Sequence, residues 1–257
     1  MAKVITFSNQ KGGVAKTTSA VMTVGNLVNR GYAVLLIDTD PQANATDFVA
    51  PHCDGTRSIY SVITGQHSVE EVIVHTEEFG DVLPSSSQLY NDEILASNPF
   101  AIKEIIDAVR NSYDYIVIDT PPNLGKVQIA DILASEYLVI PTKATRESVK
   151  GIQTLIDTIY QYLEYNPSME IVGILVTMSD RRVLAVRENM KFIKQLAESI
   201  EVAVFSNWIR AAQALVGEAE LFHTNVFAQK ARNKAKDDYD GFVSELLHRI
   251  ERMEGKV

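Results

Sequence analysis

Short apolar runs recur along this chain, and stretches with helical spacing separate them. Val4–Phe7 is the first run; Ala33–Ile37 ends in Asp38, and Tyr115–Ile118 ends in Asp119. Tyr137–Ile140 runs into Pro141, Ile171–Val176 comes next, and Val202–Phe205 is the last. These runs are continuously apolar rather than alternating, the pattern of strands covered on both faces. After the first run, Ala20, Val21, Val24, Leu27 and Val28 repeat at helical spacing until Arg30-Gly31, a stop signal. Further helices are predicted around 99–111, 126–135, 145–164, 184–199 and 237–253. The alternation predicts an α/β fold, a doubly wound, mainly parallel sheet flanked by helices on both faces. No linker, repeat or low-complexity tract interrupts it, so 1–257 is expected to form one domain.

In such sheets ligands bind beyond the carboxyl ends of the strands. That edge gathers the loop 8–18 with Asp38, Asp40 and Asp119. The loop reads SNQKGGVAKTT and departs from the phosphate-loop pattern G-x-x-x-x-G-K-[ST]. Gln10 and Ala15 stand at the two glycine positions, and glycines appear instead at 12 and 13. The physics of the loop survives this. Successive backbone N–H groups can point at phosphate, and the following helix adds the positive end of its dipole. Gly12 and Gly13 let the backbone approach closely, and Val14, Ala15 and Thr18 complete the candidate phosphate-binding stretch. Lys16 supplies charge for the β- and γ-phosphates, and the Thr17 hydroxyl is placed to ligate Mg²⁺. Ala15 fits on condition that its φ is negative, as expected where a loop turns into helix. A glycine-rich turn of a dinucleotide fold is the competing reading. Lys-Thr opening a helix directly after a strand favours the phosphate loop.

The stretch LLIDTDPQANAT puts Asp38 and Asp40 two apart, with Pro41 ending the strand. Carboxylates there can orient water or a metal's hydration shell, or can simply form a turn. YDYIVIDTPP puts Asp119 behind four apolar strand residues, the Walker B arrangement for holding Mg²⁺.

On these residues the chain resembles the ParA/MinD-type deviant Walker ATPases, and within them the partition (ParA, Soj-like) branch. Lys11–Thr17 match that family's K-G-G-x-x-K-[ST] loop. The similarity continues through DTDPQANAT (38–46), LPSSSQL (83–89), YDYIVIDTPPNLG (113–125), VTMSDRR (176–182) and NWIR (207–210). The resemblance implies ATP and Mg²⁺ as cofactors, with ATP sandwiched in a homodimer and Lys11 reaching the partner's phosphates. It assigns Asp40 to the attacking water, Asp38 to support of the Mg²⁺ site, Asp119 to Walker B, and Asn207 to the border of the adenine. Glycine is common in the family where Ala15 stands, a departure that bears on the ATPase rate. Lys150 stands where relatives commonly carry glutamate; it reads as a surface lysine or as charge near the dimer interface.

The implied cycle is a switch. ATP joins two subunits, the dimer binds DNA without sequence preference, and a ParB-like or other adaptor protein stimulates hydrolysis and release. A net charge of -9 argues against coating nucleic acid over the whole surface, so a local basic patch is required. The resemblance points to Arg182 and Arg210 as phosphate contacts. The run QKARNKAK (229–236) adds Lys230, Arg232, Lys234 and Lys236, although Asp237 and Asp238 follow at once and such runs are usually solvated faces.

Cys53, the one cysteine, excludes an intramolecular disulfide and the paired cysteines of an iron–sulfur relative. No stretch approaches the roughly 18 apolar residues of a membrane span, and no leader precedes the first strand. A cytoplasmic, nucleoid-associated protein without membrane partner or N-terminal DNA-binding extension is expected. The amphipathic tail 241–257 would be the targeting helix of a MinD-like membrane switch. Its polar face carries Glu245, Glu251 and Glu254, which suits a helix packed on the domain instead. A ParA-like positioner of a protein cargo stays open, because the partner chooses the cargo.

Overall fold

Val34–Asp38 (β2) and Tyr115–Asp119 (β5) show how apolar runs become a two-faced sheet, since every residue in both is buried. Successive side chains leave a strand on opposite faces. Leu35, Ile37, Ile116 and Ile118 therefore enter one core, while Val34, Leu36, Tyr115 and Val117 enter another. The computed structural model, which describes all residues except 124, 212, 230–232 and 257, pairs Asp38 directly with Asp119 in this register. Lys3–Phe7 (β1) lies on the other side of β5 and sets Phe7 beside Asp119. Gly80–Leu83 (β4), Tyr137–Thr142 (β6) and Glu170–Val176 (β7) extend the parallel sheet, and Val74–Thr76 (β3) ends it antiparallel to β4. The strand order is β3-β4-β2-β5-β1-β6-β7.

Helices cover both faces. Lys16–Asn29 (α1), Asn44–Val49 (α2), Gln213–Phe222 (α10) and Lys234–Met253 (α11) share the core that contains Val117. Ile59–Ile63 (α3), Val69–Val72 (α4), Glu93–Ser97 (α5), Ala101–Val109 (α6) and Lys126–Ala134 (α7) share the core that contains Ile118. Arg146–Tyr162 (α8) and Leu184–Ser199 (α9) close a third around Leu138, Ile140, Ile174 and Val176.

Val202–Phe205 does not form the expected strand; it contributes one bridge, Val204 to Ile174. Glu201 before it has φ +55, and Ser206 and Asn207 after it donate to Glu245 on α11, so the backbone leaves the sheet. The short strands β3 and β4 were not legible, since Val74-His75-Thr76 and Gly80-Asp81 carry no apolar run.

The chain's last helix is part of the core. Phe242 on α11 is fully buried, edge-on to Phe7 at 6.3 Å and to Phe205 at 4.8 Å between ring centroids. Leu246 and Ile250 are buried in the same cluster. Among the described residues, no helix is long and apolar enough to cross a membrane.

Candidate functional site

The loop between β1 and α1 hangs from neighbouring strands by side-chain bonds. Asn9 Nδ2 donates to the Pro141 carbonyl at 2.7 Å, and its Oδ1 accepts from the Lys11 N–H at 2.9 Å. Thr177 Oγ1 donates to the Val14 carbonyl at 2.9 Å. Gly12 and Gly13 are exposed at the tip, and Gly13 uses the left-handed region at φ +67. Lys16 is only 7% exposed. Burial lowers its pKa, while the carboxyls of Asp119 and Asp40 beside it pull the other way.

Ala15 contradicts its expected conformation: φ is +61 and ψ +37, left-handed, at the N-cap of α1. The helix starts only after this residue, so the chain has not yet turned into αR. An L-residue in this region is strained by roughly 1–2 kcal/mol, and glycine avoids that cost. Ala15→Gly is therefore expected to raise unfolding stability by up to about 1 kcal/mol after glycine's larger entropy loss. A higher urea midpoint at unchanged slope is the check.

Asp38, Asp40 and Asp119 converge below the loop, with different commitments. Both Asp38 oxygens are taken: Oδ1 accepts from the Asp40 N–H at 3.0 Å, and Oδ2 from Thr46 N and Oγ1 at 2.8 and 2.7 Å. It therefore fastens α2 and the Asp40 turn beside Asp119. Burial pushes its pKa up to about 7 against those bonds. Asp40 Oδ1 accepts from Gln42 N at 2.9 Å, and its carbonyl from Ser85 Oγ at 2.7 Å. Burial raises the Asp40 pKa, with Lys16 opposing.

Asp119 is fully buried, and neither of its carboxylate oxygens completes a hydrogen bond. Burial and then the charge of Asp38 raise its pKa well above the carboxylate range, while nearby Thr17 and Lys16 hold it down in part. An ionisable group orphaned this way is costly unless a ligand completes it. The Asp119 carboxylate, the Thr17 hydroxyl and the acidic neighbours form a hard oxygen donor set suited to Mg²⁺.

Asp131, which no motif singled out, lies in the apolar stretch QIADILA on α7 and is fully buried. Thr39 Oγ1 lies 2.9 Å from Asp131 Oδ2 and 2.8 Å from the Asp119 carbonyl. That hydroxyl has one proton for two acceptors. Burial raises the Asp131 pKa, and the Thr39 hydroxyl, shared between the two acceptors, opposes that rise only in part.

An AAA-domain family model matches residues 2–171. The chain is 34% identical over 224 residues to the sporulation initiation inhibitor protein Soj of Bacillus subtilis, covering 83% of this chain and 88% of that protein. It is 33% identical over 251 residues to the chromosome-partitioning ATPase Soj of Thermus thermophilus, covering 96% of each. The chain belongs to the ParA/Soj-like family of partition ATPases. Its fold is also similar, at TM-score 0.83 and 25% identity, to a cobyrinic acid a,c-diamide synthase from Mycobacterium smegmatis with bound ADP and magnesium, covering 98% of this chain and 96% of that one. Family membership thus rests on the partition relatives, and the fold is shared with enzymes of other chemistry.

Other residues suggested by the family pattern are found in varied settings. Lys11 Nζ lies 3.4 Å from Thr145 Oγ1, at the N-cap of α8. Lys150 is exposed on that helix. Asn207 Nδ2 donates to the Gly241 carbonyl at 3.2 Å and to Glu245 at 2.9 Å. The cavity beside the loop is walled by Ala15, Thr18, Met178, Ile209 and Arg210. Arg182, Arg210 and Lys234 share an outward-facing depression. Lys236 donates to the Gln229 carbonyl at 2.6 Å. Lys230 and Arg232 lie outside the described residues.

Proposed function

We propose that this chain is a nucleotide-switched partition ATPase. It binds ATP with Mg²⁺ at the β1–α1 loop, pairs with a second copy, and holds DNA without sequence preference until an adaptor protein stimulates hydrolysis. The observation that carries the reading is the orphaned Asp119 carboxylate below a phosphate loop, with buried Lys16 beside it. When bound, Mg²⁺ neutralises charge on the phosphates and fixes their arrangement. Lys16 offers its ammonium to the same phosphates, and the N–H groups from Gly12 to Thr17 surround them. Asp40 Oδ2 takes no hydrogen bond among the described residues and is the group that would orient the attacking water. Lys11, at the loop's outer side, is the lysine that would meet a partner subunit's phosphates.

The chromosome-partitioning activity named for the Thermus thermophilus relative supports chromosome segregation as the purpose; a cytoplasmic, nucleoid-associated location belongs to the same proposal. The burial of α11 weighs against the membrane-switch alternative. Particle mass measured with Mg²⁺ and a non-hydrolysable ATP analogue, with ADP, and without nucleotide tests the reading. A dimer with the ATP analogue alone is expected; one mass in all three states would contradict it.

A further inference from the structure

Arg210 stands in the wall between two cavities. One lies beside the phosphate loop against Ala15, Thr18 and Met178; the other opens outward and is lined by Arg181, Arg182, Trp208 and Lys234. The guanidinium is held by Asp238 on α11 in a two-pronged pair, Nε to Oδ2 at 2.5 Å and Nη2 to Oδ1 at 2.7 Å. The Arg210 backbone N–H donates to the same Oδ2 at 3.1 Å. The Asp238 side chain is 15% exposed against 47% for Arg210, so the carboxylate sits beneath the arginine. Tyr239, the next residue, is buried and lines the cavity beside the loop.

The outward depression is therefore less basic than its sequence. Arg182 is likewise forked onto Asp180, at 2.7 Å for Nη2 to Oδ2. Arg181 lies over Trp208 at 4.5 Å and donates to the Ser206 carbonyl. Four cations face the depression, and two carboxylates hold two of them. A carboxylate fork presents an arginine with the same geometry as a phosphate, so Asp238 occupies the position that a DNA phosphate would take.

We propose that Asp238 is a charge latch that keeps the basic face closed to polyanions until nucleotide occupies the cavity on the other side of Arg210. A nucleotide there meets Arg210, one half of the latch, and Tyr239, the chain neighbour of the other half. It therefore interacts differently with the latched and unlatched arrangements, which is what a switch requires. The inference rests on the reading of the chain as an ATP-dependent DNA-binding protein.

The test is binding of a labelled duplex of arbitrary sequence across a salt series, without nucleotide, with ADP, and with a non-hydrolysable ATP analogue. Asp238→Asn keeps the side-chain shape and removes the charge. Asp237→Asn removes the same charge one residue away, where the side chain is exposed and makes no ion pair among the described residues. Wild type is expected to bind tightly with the ATP analogue only. Without nucleotide, Asp238→Asn should bind about tenfold tighter than the weak residual binding of wild type in that state near 0.1 M salt, with a log–log salt slope steeper by about 0.9 for the freed phosphate contact. Asp237→Asn should follow wild type, and Asp238→Glu, which restores the charge, should regain nucleotide dependence. Wild type binding with the ATP analogue while Asp238→Asn behaves like Asp237→Asn would overturn the latch and leave the DNA reading standing. Absence of binding by every variant in every state would overturn both.

Discussion

Asp119→Asn makes the nucleotide-free chain more stable at alkaline pH and abolishes the contribution of Mg²⁺ to ATP binding. The two effects have one cause. Asp119 is fully buried with both oxygens unpartnered, and its pKa is raised by burial first and by Asp38 second. A carboxyl whose folded-state pKa exceeds its unfolded value favours folding fully only below the unfolded pKa. That stability is lost as pH rises through the folded pKa. Asp38, pushed up to about 7, adds to the same loss. Wild-type stability without nucleotide should therefore fall between acid and alkaline pH, and the variant's should fall less. A gain of roughly 1–3 kcal/mol at alkaline pH and little at pH 5 is expected, the scale of an uncompensated buried polar group. In exchange, the amide cannot act as an anionic ligand, and hydrolysis should drop by roughly 10²–10³-fold, equivalent to several kcal/mol of charge stabilisation. Urea unfolding against pH, with and without Mg²⁺ and ATP, reads both; a variant still stabilised by Mg²⁺ would remove Asp119 from the metal site.

Lys16→Met is the second large effect. Methionine preserves the straight, buried stem but carries no charge. Nucleotide affinity should fall by about 10–100-fold, the worth of a charge-assisted hydrogen bond. The nucleotide-free state should also suffer, because Lys16 is the cation that holds down the pKa values of Asp119 and Asp40. Without it, both carboxyls titrate higher, and stability is lost more steeply as pH rises. Calorimetric titration with ATP, beside unfolding at pH 6 and pH 8, separates the two consequences. Unchanged affinity would show that this lysine does not meet the phosphates.

The five strands β1, β2, β5, β6 and β7 and the loop were legible because their signals are local. A continuous apolar strand ending in aspartate, or a Lys-Thr pair opening a helix, is written within about ten residues of chain. What escaped depends on contacts distant in sequence. The φ of Ala15 is imposed by a loop anchored on Pro141 and Thr177. The saturation of Asp38 depends on where α2 brings Thr46. Arg210 and Lys234 read as free cations from sequence, yet Arg210 is paired with Asp238 twenty-eight positions on. Asp131 carries no signal at all, since an aspartate inside an apolar helix reads as an exposed position. Family resemblance pointed to Asn207 for the adenine border, but no local signal showed that its amide also ties α11 through Gly241 and Glu245.

The most direct test of the central claim is binding of the wild-type chain to non-specific duplex DNA with Mg²⁺–ATP, with ADP and without nucleotide, at low and moderate salt. Binding with ATP alone, lost as salt rises because phosphate contacts release counterions, is the expected result. Equal binding in all three states, or none in any, would contradict a nucleotide-switched partition ATPase that uses DNA as its matrix.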